Sequence, residues 1–407
     1  SFLSFVIIAL IVLVGIFQVG FNYSQLSLAE ISNQKNGHTE LYREVANKHA
    51  GEFNDKKVKE ILSDFIERYQ SEIDGEKRPF DLFSWDIAEV FFPKDEDVYI
   101  KMNDAMERGE KITIDEVNLL SVKDAGFSTF SDPLKIGSYT PWNDLYTVLG
   151  ALFILMSLLA IVICSTVFSG EVSSNINQLL LSTKYGRSKM ILSKIIVATG
   201  ISIILFIVIH AITFMYFYFH YYALDGWNAS IQTNFSLKLF NFPVEVNHLQ
   251  VYFLILIFQL FGLLATVGVT LFISSITKST FASLLVATSA FFLPLGLSSV
   301  FRTGIIHKLL CLFPINIYNP ESMLTVMSAE KGFVFNTFAQ NFVFVICLLL
   351  VVKILGDLVA YVYVSRDGKL TGALAAWLFK SRFLKSPIYF YPNWQIIYFK
   401  DIKNSLG

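Results

Sequence analysis

The chain has 407 residues, 54% of them hydrophobic, and a mean hydropathy of +0.54, which excludes an ordinary water-soluble globule and implies several membrane crossings. The formal net charge of −1 hides a split. Residues 18–143 carry about fifteen Lys/Arg against about two dozen Asp/Glu, so the remainder is net basic, as inward-facing membrane-proximal segments are.

Phe2–Phe17 reads as a first span of about sixteen residues, slightly short against the roughly 20 of a full crossing. No Lys or Arg precedes it, so further native residues are expected upstream. Residues 20–143 read as a soluble domain, whose length and acidity place it on the external side. Val58, Ile61, Leu62, Phe65, Ile66 and Tyr69 recur at helical spacing, which predicts an amphipathic helix over Asp55–Ile73. Phe80, Phe83, Trp85, Ile87, Val90 and Phe91 supply a second apolar cluster, closed by Pro93. Thr113 and Glu116 predict a capping box ahead of Val117, Leu119 and Leu120. The domain therefore reads as mainly helical.

Thr140-Pro141-Trp142 opens the second span, with Thr as N-cap, Pro in the first turn and Trp at the interface. The span is free of charge from Leu145 to Phe168. Phe168–Lys194 then interrupts with a short polar segment that needs water or a partner. Lys184, Arg187, Lys189 and Lys194 outnumber Glu171, which puts this loop in the cytoplasm. Leu179, Leu180 and Leu181 give a short helix one apolar side, as a docking surface for a soluble partner requires. The third span follows to Phe219, with an aromatic run over Phe214–Tyr222, and 226–248 reads as an external loop. Val251–Ile276, Phe281–Phe301 and Phe342–Val364 are spans four to six. Ser274–Lys278 is a tight inner turn, Arg302–Gln340 an external connection, and Arg366 and Lys369 return to the inside.

The order Glu171, a polar spacer, Gln178-Leu-Leu-Leu-Ser-Thr183, Gly186-Arg187 and Lys194 at the head of the next span resembles the first cytoplasmic loop of ABC-2 type permeases. Asn175-Ile176-Asn177 departs from the Gly-Thr that the family often has there. The topology, with an enlarged domain between spans one and two, is similar to the ABCA group and its bacterial relatives over most of residues 1–365. The resemblance implies an all-α polytopic membrane protein with six transmembrane helices: residues 1–19, then the external domain 20–143, then five helices over 144–365 with a coupling loop at 169–194. It implies Glu171, Gln178, Leu180, Thr183, Arg187 and Lys189 as the contact with an ABC ATPase dimer, and a second permease half beside this one. ATP and Mg would bind in the partner, and this chain would need no cofactor. The expected setting is the plasma membrane, with both ends inside, no nucleic-acid role and an exported apolar or amphipathic cargo such as a peptide, antibiotic or lipid-like molecule. A rival is an ATP-independent channel or sensor whose external domain binds a ligand.

Lys353 and Asp357 stand at i,i+4 in the sixth span, on one helix face, and can pair. Such charges are expected to face the bundle interior or water, either as a self-neutralised pair that orients the helix or as a polar point on the substrate path or subunit seam. His210 and Gln259 are lone polar groups expected to hydrogen-bond between helices. Gly268 reads as a close helix contact. Pro294 and Gly296 read as a break or hinge near the outer end of span five. No G-x-x-x-x-G-K-[ST], H-E-x-x-H or G-x-S-x-G is present, so neither a P-loop nor a hydrolase centre is visible. Cys164, Cys311 and Cys347 match no metal spacing. The tail, 366–407, reads as basic and aromatic: Ala373–Phe383 suits an interfacial helix and Trp394–Lys403 resembles the elbow helix that precedes a first span in the family. Three readings stay open: continuation into a second transmembrane half, a non-native order of segments, or an inner-leaflet tail.

Overall fold

The computed structural model describes residues 37–71, 81–220, 224–328 and 333–366. The expected first span, Phe2–Phe17, and the tail helices lie outside the described residues. What is described is mostly helical and falls into a polar domain and an apolar bundle.

The polar domain contains α1 (Gly37–Lys48), α2 (Asp55–Tyr69), α3 (Leu82–Phe91) and α4 (Val98–Glu107). Two short antiparallel strands, β1 (Gly51–Glu52) and β2 (Lys135–Ile136), place Gly51 opposite Ile136. Asn54 starts α2 by accepting a hydrogen bond from Lys57 N, and Val58, Ile61, Leu62, Phe65 and Ile66 are buried along one face. Phe83, Ile87 and Phe91 of α3 complete the core. The box of Thr113 and Glu116 forms, but it closes only a 3-10 turn over Ile114–Glu116. The chain then extends because Leu120 N bonds to Phe91 O at 3.0 Å, so no helix runs through Leu120.

Segment 224–247 looks from sequence like a plain loop, yet it is part of this domain. Phe235 lies 5.7 to 6.3 Å, centroid to centroid, from the rings of Tyr139, Phe127, Phe53 and Phe91. Ser230 N donates to Lys135 O at 2.8 Å, and Lys135 N donates to Ser230 Oγ at 2.9 Å.

Five helices among the described residues are long and apolar enough to cross a membrane: α5 (Thr140–Ser165), α8 (Lys189–His220), α9 (His248–Ile276), α10 (Thr280–Val300) and α13 (Phe338–Ser365). The short α6 (Ser169–Ser173) and α7 (Asn177–Ser182) lie between α5 and α8. Helices α5 and α9 form the centre, 61% buried over their apolar stretches, against 22% for α10 and α13. Apolar faces alone do not drive helices together in lipid, so close approach has to. Helices α9 and α13 supply it at Gly268 and Gly356, where a Cβ on Gly356 would lie 2.5 Å from the Gly268 backbone.

Trp142 is not a lipid-interface ring: it is 1% exposed, and its Nε1 donates to Asp225 O at 3.1 Å, which fastens 224–247 to the head of α5. Thr140 does not cap α5, because Tyr139 occupies that position. Pro294 and Gly296 do not break their helix. Helix α10 continues through both to Val300, with Pro294 buried and nothing within 4 Å of the Gly296 Cβ direction.

The connection after α10 also folds back. It comprises α11 (Gly304–Leu310), a 3-10 turn over Pro314–Tyr318 and α12 (Pro320–Ser328). Ile315 and Ile317 are buried, and a Cβ on Gly150 would fall 1.9 Å from Tyr318 O. Gly150 lies ten residues into α5, or about 15 Å at 1.5 Å per residue, so this irregular backbone reaches well down the bundle. Cover by α5, α9 and α10 makes that tolerable away from water.

Candidate docking surface and buried polar groups

The loop between α5 and α8 is built rather than slack. Two residues beyond the end of α6, the chain turns at Asn175, whose φ of 57° is left-handed, a conformation that Asn accepts more readily than most residues. Ile176 N bonds back to Glu171 O at 3.0 Å. This Asn does in the turn what a glycine does elsewhere. In α7, Leu181 turns inward and is buried, while Leu179 is 71% exposed. Ile176 and Tyr185 are exposed beside it. Thr183 Oγ1 donates to Leu180 O at 2.7 Å. The same carbonyl would lie 1.9 Å from a Cβ on Gly186, so the return of the chain requires a glycine there. Arg187 Nε donates to Leu181 O at 3.3 Å, and Lys189 Nζ sits 4.7 Å from the centre of the Tyr185 ring. An ion pair of Lys194 with Glu171 closes the base.

Glu171, Gln178, Leu181 and Arg187 line a cleft of about 560 Å³ with Lys278 and Tyr363. The structure thus brings together the loop, the α9–α10 turn and the end of α13. Leu180, Thr183 and Lys189 belong to the loop but do not line the cleft. Exposed apolar side chains at Ile176, Leu179 and Tyr185 on the same loop as a wall of mixed charge suit a protein surface better than a small molecule. Among the described residues, no group of three or more His, Cys, Asp or Glu could hold a metal ion.

The other polar residues lie elsewhere. Lys353 Nζ reaches both Asp357 carboxylate oxygens at 2.7 and 2.5 Å and Thr199 Oγ1 of α8 at 2.8 Å. Lys353 is twelve residues before Ser365, about 18 Å from the end of α13, and it lines no part of the cleft. Gln259 Nε2 donates across helices to Leu149 O at 2.9 Å. His210 departs from expectation: neither ring nitrogen has a hydrogen-bond partner, and the ring rests 4.2 Å from that of Phe206. An aromatic neighbour takes the place of the acceptor that a helix-to-helix bond needs.

Sequence reasoning missed Ser274 and Thr199, and read Lys278 only as a turn cation. The Ser274-Ser275 pair ahead of a tight turn was the available signal for the first. A family model described as ABC-2 family transporter protein matches residues 2–367. No curated protein and no solved structure matches the chain.

Proposed function

The chain belongs to the ABC-2 family of transporter membrane proteins, and from that premise we propose that it is the permease of an ATP-driven exporter whose ATPase docks on residues 169–194. The excess of Lys184, Arg187, Lys189 and Lys194 over Glu171 orients this loop inward, so 20–143 lies outside and both chain ends inside, in the plasma membrane. Two permease halves and two ATPase subunits assemble, with ATP and Mg held by the ATPases. Closure of the ATPases pushes α7 and switches the halves between inward and outward access. The cargo is apolar or amphipathic, in keeping with the Phe- and Leu-rich spans.

One observation carries the reading: Leu179 stands 71% exposed on a short helix flanked by cations, with Ile176 and Tyr185 beside it. That is the form of an unfilled protein contact. Leu179→Asp and Lys189→Glu change solvent-facing side chains and leave the loop's internal hydrogen bonds intact. Together they are expected to cut ATPase co-purification about tenfold or more, in line with loss of a central apolar anchor. Undiminished co-purification would overturn the docking role.

A further inference from the structure

Helix α5 has no side-chain cap of its own at Tyr139. Two amides at its head, those of Tyr139 and Thr140, are taken by another element. Tyr42 Oη, on α1 of the polar domain, accepts from Tyr139 N at 2.9 Å and from Thr140 N at 3.0 Å. Tyr139 is gripped again by α3: its hydroxyl lies 3.2 Å from Phe83 O and 3.1 Å from Asp86 Oδ2, and its ring stacks on Phe83 at 5.6 Å. Tyr139 is fully buried. The far end of α5 shows the same construction. Ser274 Oγ, on α9, accepts from Phe168 N and Ser169 N at 3.1 Å each and donates to Ser165 O at 2.9 Å. Ser274 is fully buried. It therefore fixes both the last turn of α5 and the first residues of the loop segment.

Between the two hydroxyls runs one uninterrupted helix of 26 residues, about 39 Å long, with its only proline in the first turn. We infer that α5 is a rod that joins the polar domain to the loop at 169–194, and that Tyr42 and Ser274 are the positioning residues that fasten its ends. A shift of the loop is then felt at the polar domain, and occupancy of the polar domain is felt at the loop with the same coupling in reverse. The inference rests on the docking role of 169–194 for its part in transport. It assigns the polar domain a new task, that of reporting its state to the ATPase.

Hydrogen exchange of the full chain in lipid nanodiscs, without ATPase, tests the rod separately from the docking role. Tyr42→Phe removes one hydroxyl and keeps the ring. It is expected to speed exchange about tenfold in peptides covering 139–143, as loss of an acceptor for buried amides should. The rod requires a second effect, about threefold or more, in peptides covering 166–174. Ser274→Ala is expected to give the mirror image, and Ser274→Thr, which keeps the hydroxyl, wild-type exchange at both ends. A change confined to the mutated end overturns the rod. So does unfolding of the polar domain in Tyr42→Phe that leaves 166–174 protected as in the wild type. Either result leaves ATPase co-purification, and with it the docking role, untouched.

Discussion

In the polar domain, Phe53, Phe91, Phe127 and Phe235 form a cluster of touching rings, and helices start on Asn54, Asp81 and Asp97 as side-chain caps. In the bundle, α9 and α13 meet backbone to backbone at Gly268 and Gly356, and Thr213, Thr266 and Thr270 hydrogen-bond to carbonyls of their own helices four residues back. In the first set, water expels the apolar rings and so stabilises that core, while the polar caps satisfy helix amides. Lipid does not expel the second set, and packing and internal hydrogen bonding must suffice. The two regions should therefore respond to different substitutions.

The largest effect is expected from Phe235→Ala, which empties the middle of the ring cluster. A loss of about 3–5 kcal/mol is expected in denaturant unfolding of the polar domain, with a much smaller loss in the melting of the bundle in detergent, passed on through Tyr139 at the head of α5. A loss of equal size in both would show that the two regions fold as one.

Protonation gives the next effect. Burial pushes the Asp86 carboxyl from its ordinary 3.8 up to about 6, against the opposing pull of its hydrogen bond with Tyr139. The folded chain thus binds more protons than the unfolded chain between those values. The contribution is fully present below the lower value and is lost as pH rises through about 6, by at most about 2–3 kcal/mol. Polar-domain melting followed from pH 4 to 7 should show this fall, and Asp86→Asn should flatten it. A profile in Asp86→Asn identical to the wild type would assign the dependence to another group.

Inside the bundle the expected effects are smaller. Gly356→Ala forces a Cβ against the Gly268 backbone and is expected to cost about 1–3 kcal/mol in detergent melting. The same change at Gly296 meets nothing within 4 Å and should be neutral, or stabilising by up to about 1 kcal/mol through helix propensity. Equal effects at the two sites would remove the case for backbone contact as the glue of α9 and α13.

What could be read in the sequence was what depends on near neighbours. The apolar spacing of Val58 to Tyr69 gave α2, the run free of charge after Leu145 gave α5, and the four-residue step from Lys353 to Asp357 gave their pairing. The basic loop after α5 was visible for the same reason. What was hidden depends on partners far along the chain. Phe235 joins a core more than a hundred residues upstream, Tyr318 folds onto Gly150, and Trp142 is held by Asp225. Ser274 looks like any serine before a turn until Phe168 and Ser169 are placed above it. His210 shows the opposite failure, since a lone histidine suggests an acceptor that the fold does not supply.

If α7 is an inward lever worked by a separate ATPase, a photo-crosslinking amino acid at position 179, activated in intact membranes, forms a covalent adduct with a P-loop ATPase subunit. Adducts with lipid or with other copies of this chain alone would show that no ATPase docks there.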